Sequence, residues 1–251
     1  MSDETTEVAR DELIRGAGAL IIIPTYNEVV NITALLEDLH ELVPLAHVLI
    51  VDDASPDGTG EVADNLAARD ERVHTLHRPG KLGLGTAYVQ GFRWALEREE
   101  YRRICEMDAD FSHQPKQLPD LLAKSAEVDL VLGSRYIAGG GIENWTPLRR
   151  LVSRGGTLYA RTILGIQIRD LTGGFKVFNR RVLEAIELDT VRSNGYAFQI
   201  EMTYRALCKG FAVAEVPILF VDRLGGKSKM STGVFREAVF MVWWLRMAKV
   251  E

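Results

Sequence analysis

Cysteine is scarce in this chain: Cys105 and Cys208 are the only two among 251 residues. That number cannot build a disulfide framework, and two buried free thiols in a reducing compartment are expected, Cys105 in a predicted strand and Cys208 in a predicted helix. Excess positive charge is also missing. The formal net charge of -5 argues against the broad basic surface of a nucleic-acid binder, so an anionic partner must meet a local basic patch. No apolar run approaches the roughly 20 residues that a membrane-spanning helix needs; the longest covers 238–245. Residues 2–15 are acidic and polar, without the basic start and apolar stretch of a secretory leader, and read as a mobile tail. Internal repeats and low-complexity linkers are absent as well. A chain with 47% hydrophobic and 26% charged residues is an ordinary globular protein able to bury one substantial core.

Apolar runs at 19–23, 48–51, 73–76, 104–107 and 130–132 alternate with helix-like segments near 32–42, 59–68, 86–97 and 118–126. Alternation of this kind predicts an α/β fold, a mostly parallel sheet with helices on both faces. Asp57, ahead of Gly58 and Thr59, and Asn27 are read as helix starts, and Pro115 suits a first helical turn. Beyond Gly133 the pattern changes to Gly139-Gly140-Gly141, a basic segment at 148–164, a strand-like 174–178, a helix-like 198–209 and a strand at 212–221. The expected organisation is a tail at 1–17, a catalytic domain at 18–232 and an amphipathic helix at 233–251. Within the domain, 18–134 is the nucleotide-binding half and 135–232 the acceptor half.

Polar groups gather just past the strands. Asp108-Ala109-Asp110-Phe111-Ser112-His113 places two carboxylates one residue apart where a predicted strand ends. Such a pair suits a hard divalent cation, and a hard cation suits a diphosphate. Pro24, Tyr26 and Glu28 follow the first strand, offering an aromatic face and a carboxylate to a nucleobase and ribose; Asp53, after Val51 and Asp52, adds another acceptor. In an open parallel sheet, ligands bind beyond the carboxyl ends of the strands, so these ends would converge on one crevice. The loop Gly80-Lys81-Leu82-Gly83-Leu84-Gly85 fits neither the Walker pattern nor the dinucleotide fingerprint and reads as a tight connection between helix and sheet.

Cations stand at the same edge. Arg135 follows a predicted strand directly, and Arg223, Lys227 and Lys229 lie in a glycine-containing loop that could close on a diphosphate. At about 100° per residue, Leu148, Leu151, Val152, Leu158 and Tyr159 share one helical face and Arg150, Arg154 and Arg161 another. Residues 234–249 repeat the theme with Phe235, Val239, Val242, Trp243 and Trp244 beside Arg236, Arg246 and Lys249. Both segments fit a membrane interface, and a surface helix packed on the core is the alternative.

Taken as an ordered set, Pro24-Thr25-Tyr26-Asn27-Glu28, Asp52-Asp53-Ala54-Ser55-Pro56-Asp57-Gly58-Thr59, Lys81-Leu82-Gly83-Leu84-Gly85, the aspartate loop, Gly133-Ser134-Arg135-Tyr136, Thr172-Gly173-Gly174-Phe175-Lys176 and Gly226-Lys227-Ser228-Lys229 resemble the dolichol-phosphate (polyprenol-phosphate) mannose synthases, within the inverting family-2 glycosyltransferases. The resemblance runs from about Leu20 to the C-terminus. It implies a glycosyltransferase-A fold, a GDP-mannose donor, Mg2+ or Mn2+, and a polyprenyl or dolichyl monophosphate acceptor. The mannosyl lipid would serve glycosylation or cell-envelope glycan synthesis. The enzyme would act at the cytoplasmic face of a membrane as a peripheral protein, with a partner subunit or fused domain as a possible anchor. By the same resemblance, Pro24, Tyr26, Glu28, Val51 and Asp53 hold the guanosine, and Asp108, Ala109 and Asp110 hold ribose and diphosphate. Asp110 holds the metal, with Ser112 where some relatives carry a glutamine ligand. Arg135, Arg223 and Lys229 bracket the phosphates, while Arg149 and Ser228 join Arg135 on the acceptor phosphate.

Chemistry narrows the alternatives. A phosphate monoester, with its second pKa near about 6, is already an anion at neutral pH and needs no strong general base, whereas a sugar hydroxyl would call for a carboxylate such as Glu143 or Asp170. His113, just past the aspartates, is as well explained by structure as by base catalysis. A UDP-sugar donor and a non-catalytic nucleotide-binding scaffold remain as rival readings; a dehydrogenase is disfavoured because the first strand-to-helix turn lacks glycines.

Overall fold

The computed structural model of the chain describes residues 3–193, 195–222 and 232–247. Strands β1 (Ala19–Thr25), β2 (His47–Asp52), β3 (Val73–His77), β4 (Arg103–Glu106) and β5 (Leu130–Ser134) fall where the apolar runs predict them. Helices α2 (Ile32–Leu42), α3 (Thr59–Ala67), α4 (Leu84–Leu96) and α5 (Leu118–Lys124) fill the connections. After β5 come β6 (Gly141–Glu143), α6 (Pro147–Leu164), β7 (Lys176–Asn179), α7 (Arg180–Ala185), α8 (Gly195–Cys208), β8 (Val213–Pro217), β9 (Leu219–Val221) and α9 (Thr232–Met247).

Seven strands form one sheet in the order β3-β2-β1-β4-β7-β5-β8. Neighbours run parallel except around β7, which is antiparallel to both β4 and β5. The expected single strand at 212–221 is two: Ile218 separates β8, in the main sheet, from β9, which pairs with β6 in a second sheet. The first residues, read as a tail, are instead helix α1 (Asp3–Ile14), whose Leu13 is buried.

Strand β1 is a nearly continuous apolar run because both faces of the sheet are covered. Leu20 and Ile22 of β1 enter a core with Tyr88 and Phe92 of α4 and Phe198 of α8. Ile21 and Ile23 enter the opposite core with Leu35, Leu36 and Leu39 of α2. Period-two alternation thus divides one hydrophobic run between two layers. Close approach of α4 to β1 depends on Gly91, where a Cβ would come within 2.7 Å of Ile22.

The structure also corrects the reading of the thiols and of the last helix. Cys105 is buried but Cys208 is exposed. On α9, Val242 and Leu245 face the core, while Phe240, Trp243 and Met247 face outward.

Candidate active site

Strand register brings the candidate residues together. Thr25 pairs with Asp52 and Asp52 with His77, so β1, β2 and β3 end at one edge. β4 ends there too, since Ile22 pairs with Glu106. Segments leaving this edge adopt costly backbone: Asn27, Ala54 and Phe111 have φ of 62°, 52° and 58°. Left-handed geometry costs a non-glycine residue about 1–2 kcal/mol, and such strain gathers where geometry serves function. Asn27 therefore does not start a helix; its N–H donates to Ser55 Oγ across the two loops.

Around the ends of β1 and β2, Pro24, Tyr26 and Glu28 are half-buried and Val51 fully buried. Lys81 Nζ lies 3.7 Å from the centre of the Tyr26 ring, so the glycine loop reaches over the first strand end. Asn31 Nδ2 donates to Glu28 Oε2 at 2.8 Å. Asp57 accepts from the N–H groups of Thr59 and Val29, serving the start of α3 and joining two loops at once.

Asp53 makes a buried ion pair with Arg78, 2.5 Å from carboxylate to guanidinium. Arg78 also donates to Thr86 Oγ1 and to the Gly83 carbonyl. Burial pushes the Asp53 carboxyl upward, and Arg78 opposes that shift. Nothing in the sequence marks Arg78 except its place directly after β3, a strand-end cation beside strand-end acids. The close approach at the glycine loop is to α8 rather than to the sheet: a Cβ on Gly85 would come within 2.5 Å of the Ser193 carbonyl and 3.0 Å of the Phe198 ring.

The aspartate loop is built from its own backbone. Asp110 Oδ1 accepts from Ser112 N–H at 3.0 Å. Asp108 N–H donates to His113 Nδ1 at 3.1 Å. The buried imidazole stacks on Phe175, ring centres 5.1 Å apart, and burial pushes its pKa down to about 4. An accepting Nδ1 carries no proton, so His113 supports the loop as a neutral ring. Its approach of 3.8 Å to Asp108 Oδ2 is not an ion pair in that state.

Among the described residues no group of three or more His, Cys, Asp or Glu is arranged to hold a metal. Mg2+ does not require one, since it commonly takes one or two carboxylates and completes its shell with substrate phosphates and water. Asp108, with its side chain 36% exposed, and Asp110 fit that pattern. Ser112 fits less well: it is buried, and its backbone is committed to Asp110 and to Val221, whose N–H donates to the Ser112 carbonyl. Ala109 is buried beneath the loop.

Arg135 and Asp170 face each other as a buried two-pronged pair, with Nε and Nη2 each 2.7 Å from a carboxylate oxygen. Arg135 Nη2 also donates to Thr172. Asp170 is held low by Arg135 against the opposing effect of its own burial. It is committed to this arginine and poorly suited to serve as a base. Phe220 packs edge-on against the His113 ring, centres 5.6 Å apart, and the Arg135 guanidinium lies 5.4 Å from the centre of the same Phe220 ring, so the aspartate loop and Arg135 lie side by side. Arg149, at the start of α6, is ion-paired with Asp222 and stacks on Trp145, 4.2 Å from the ring centre. Arg223, Ser228 and Lys229 lie outside the described residues.

A family model described as glycosyl transferase family 2 matches residues 20–187. An undecaprenyl-phosphate mannosyltransferase of Micrococcus luteus is 51% identical over 223 residues, 89% of this chain and 91% of that protein. A polyprenol monophosphomannose synthase of Mycolicibacterium smegmatis is 51% identical over 232 residues, 90% and 87% of the two chains. Among solved structures, glucosyl-3-phosphoglycerate synthase of Mycobacterium tuberculosis, in complex with Mn2+, UDP and glucosyl-3-phosphoglycerate, is similar with a TM-score of 0.66. It is 16% identical, over 95% of this chain and 83% of that one. At that identity the likeness concerns the fold.

Proposed function

Because the chain belongs to glycosyl transferase family 2, we propose that it transfers mannose from GDP-mannose to a polyprenyl monophosphate with inversion, releasing GDP. The observation that carries this reading is the meeting, across the Phe220 ring, of His113 in the aspartate loop with Arg135, in a chain half identical to two mannosyltransferases that use prenyl phosphates by name.

Pro24, Tyr26, Glu28, Val51 and Asp53 form the guanosine side, Asp53 being held in place by Arg78. Asp108 and Asp110, with Ser112 as a weaker third ligand, would hold Mg2+ or Mn2+. When bound, the cation neutralises the departing diphosphate. Arg135, oriented by Asp170, and Arg149 draw the acceptor phosphate to the opposite side of the sugar; Arg223, Ser228 and Lys229, outside the described residues, are assigned to phosphate binding by sequence alone. The phosphate arrives as an anion and attacks without a base. The burial of Asp170 against Arg135 favours this over a sugar-hydroxyl acceptor.

The acceptor's lipid tail needs a surface. Leu148, Leu151 and Leu158 of α6 are 70%, 69% and 62% exposed, and Phe240 and Met247 of α9 are 80% and 70% exposed. Arg150 and Arg154 flank the leucines, also exposed. Burying each such apolar side chain in lipid contributes about 1.5–3 kcal/mol, and arginines at the rim meet anionic headgroups. No helix among the described residues is long and apolar enough to cross a membrane, so contact through these two faces would be peripheral.

The test of the donor uses purified protein and a prenyl phosphate with labelled GDP-mannose, UDP-glucose and UDP-mannose in parallel. Label entering the organic phase from GDP-mannose alone supports the reading, and preference for a UDP-sugar refutes it.

A further inference from the structure

Helix α6 begins in an unusual way. Thr146 caps it and Pro147 opens it, yet the first turn holds no acidic residue and two consecutive arginines, Arg149 and Arg150. The amino end of a helix already carries partial positive charge, so two guanidinium groups there add to an unfavourable field unless an anion joins them. The anion present is the carboxylate of Asp222, paired with Arg149. Beside them Trp145 is 8% exposed and lies under the Arg149 guanidinium. Its indole N–H is buried with no partner among the described residues. Arg150 is turned to the Ile142 carbonyl, so the surroundings offer a larger anion than one carboxylate the Arg149 guanidinium, a helix end and an indole donor without a partner among the described residues.

We infer that Asp222 is the resident anion of the acceptor-phosphate cradle, and that the substrate's phosphate takes Arg149 by displacing it. This rests on the proposed reading that the acceptor is a phosphate monoester bound at Arg149. A phosphate near neutral pH carries close to two charges and three acceptor oxygens, so it outcompetes a single carboxylate for Arg149 and can reach the indole N–H as well. Left in place, the carboxylate would repel the incoming dianion. Displacement needs only rotation of a side chain, because the backbone leading into Asp222 is tied to two neighbouring segments. Asp222 N–H donates to the Glu143 carbonyl, and Val221 N–H to the Ser112 carbonyl. The second bond also holds this cradle at a fixed distance from the aspartate loop. A neutral prenol has no charge with which to dislodge Asp222, so the same carboxylate selects phosphorylated acceptors.

The experiment compares wild type, Asp222→Asn, Asp222→Glu, Arg149→Gln and the Asp222→Asn/Arg149→Gln pair. It reads acceptor KM with a short-chain prenyl phosphate, inhibition by inorganic phosphate, and donor KM. Removing a partly exposed competing charge is expected to lower acceptor KM and the phosphate inhibition constant about three- to tenfold. Donor KM should not move, Asp222→Glu should behave as wild type, and the gain should vanish in the Arg149→Gln background. An unchanged or raised acceptor KM in Asp222→Asn overturns the inference, as does a gain that persists without Arg149. If no protein, wild type included, used or bound the prenyl phosphate, the acceptor reading itself would fall and the inference with it.

Discussion

The backbone N–H of Asp108 donates to Nδ1 of His113 across 3.1 Å, so a buried imidazole fixes the first carboxylate of the aspartate loop from behind. Replacing His113 with Phe keeps the ring that stacks on Phe175 but strands that amide. Leaving a buried donor unsatisfied costs about 1–3 kcal/mol, so the variant should remain folded with a lowered Tm. Its divalent-cation requirement for turnover should rise about tenfold, which corresponds to roughly 1.4 kcal/mol. A metal titration of the variant that overlays wild type would show that His113 does not govern the loop.

Asp110→Asn preserves shape and removes one charge from the centre of the site. Loss of one well-placed electrostatic group commonly costs about 100-fold or more in rate. Turnover at saturating donor is expected to fall by at least that factor with Tm close to wild type. Chelation of divalent cations should reduce wild type to a similar level. Near-normal turnover would refute the role of Asp110 at the metal.

Glu106 and Lys176 face each other across β4 and β7, both fully buried. Burial raises the carboxyl to about 7 and lowers the ammonium to about 8, each shift opposed by the other's charge. Lys176 Nζ donates to the Gln199 carbonyl and to Thr203 Oγ1 and acts on Glu106 through its charge, so Lys176→Met removes the charge that offsets the buried carboxylate; breaking a buried charge pair costs up to about 3–5 kcal/mol, whereas replacing both partners can be nearly neutral. The double variant Glu106→Gln/Lys176→Met should recover most of the stability lost in Lys176→Met. Denaturant unfolding of the full cycle at pH 8 measures this; additive losses would mean that the two residues do not interact.

At the far edge of the sheet His47 Nδ1 lies 3.1 Å from His74 Nε2, and the Tyr101 hydroxyl touches both. Burial lowers both histidines below 6.5; Arg72 and Arg98 act in the same direction and Glu100 against it. The unfolded chain binds protons at 6.5 while the folded pair stays neutral, so stability falls as pH drops below about 6.5. Tm should decline between pH 7.5 and 5.5, and less so in His47→Gln/His74→Gln. An equal decline in the variant would assign the effect elsewhere.

Much of this architecture is legible in the sequence because β1 to β5 are apolar on both faces and end in polar loops. That pattern alone sets Tyr26, Asp53, Asp108 and Arg135 at one edge. The partners of those residues are not legible. Arg78 meets Asp53 across 25 positions and Asp170 meets Arg135 across 35, and nothing local signals either pairing. Strand β7 has four residues, too few to reveal that it runs against its neighbours. Helix α1 looks like a polar tail since few of its positions are apolar. The leucines of α6 share a helical face on paper, but only the packing of Thr157, Ala160 and Leu164 inward shows that this face points away from the core.

The central claim is that a phosphate, gripped by arginines, is the nucleophile that displaces GDP. Its most direct test supplies labelled GDP-mannose to the purified protein with a polyprenyl phosphate and, separately, with the matching unphosphorylated polyprenol. Mannosyl lipid formed only from the phosphate, as an acid-labile phosphodiester of inverted configuration, is the predicted result. Transfer to the prenol hydroxyl, or equal transfer to both lipids, would contradict it.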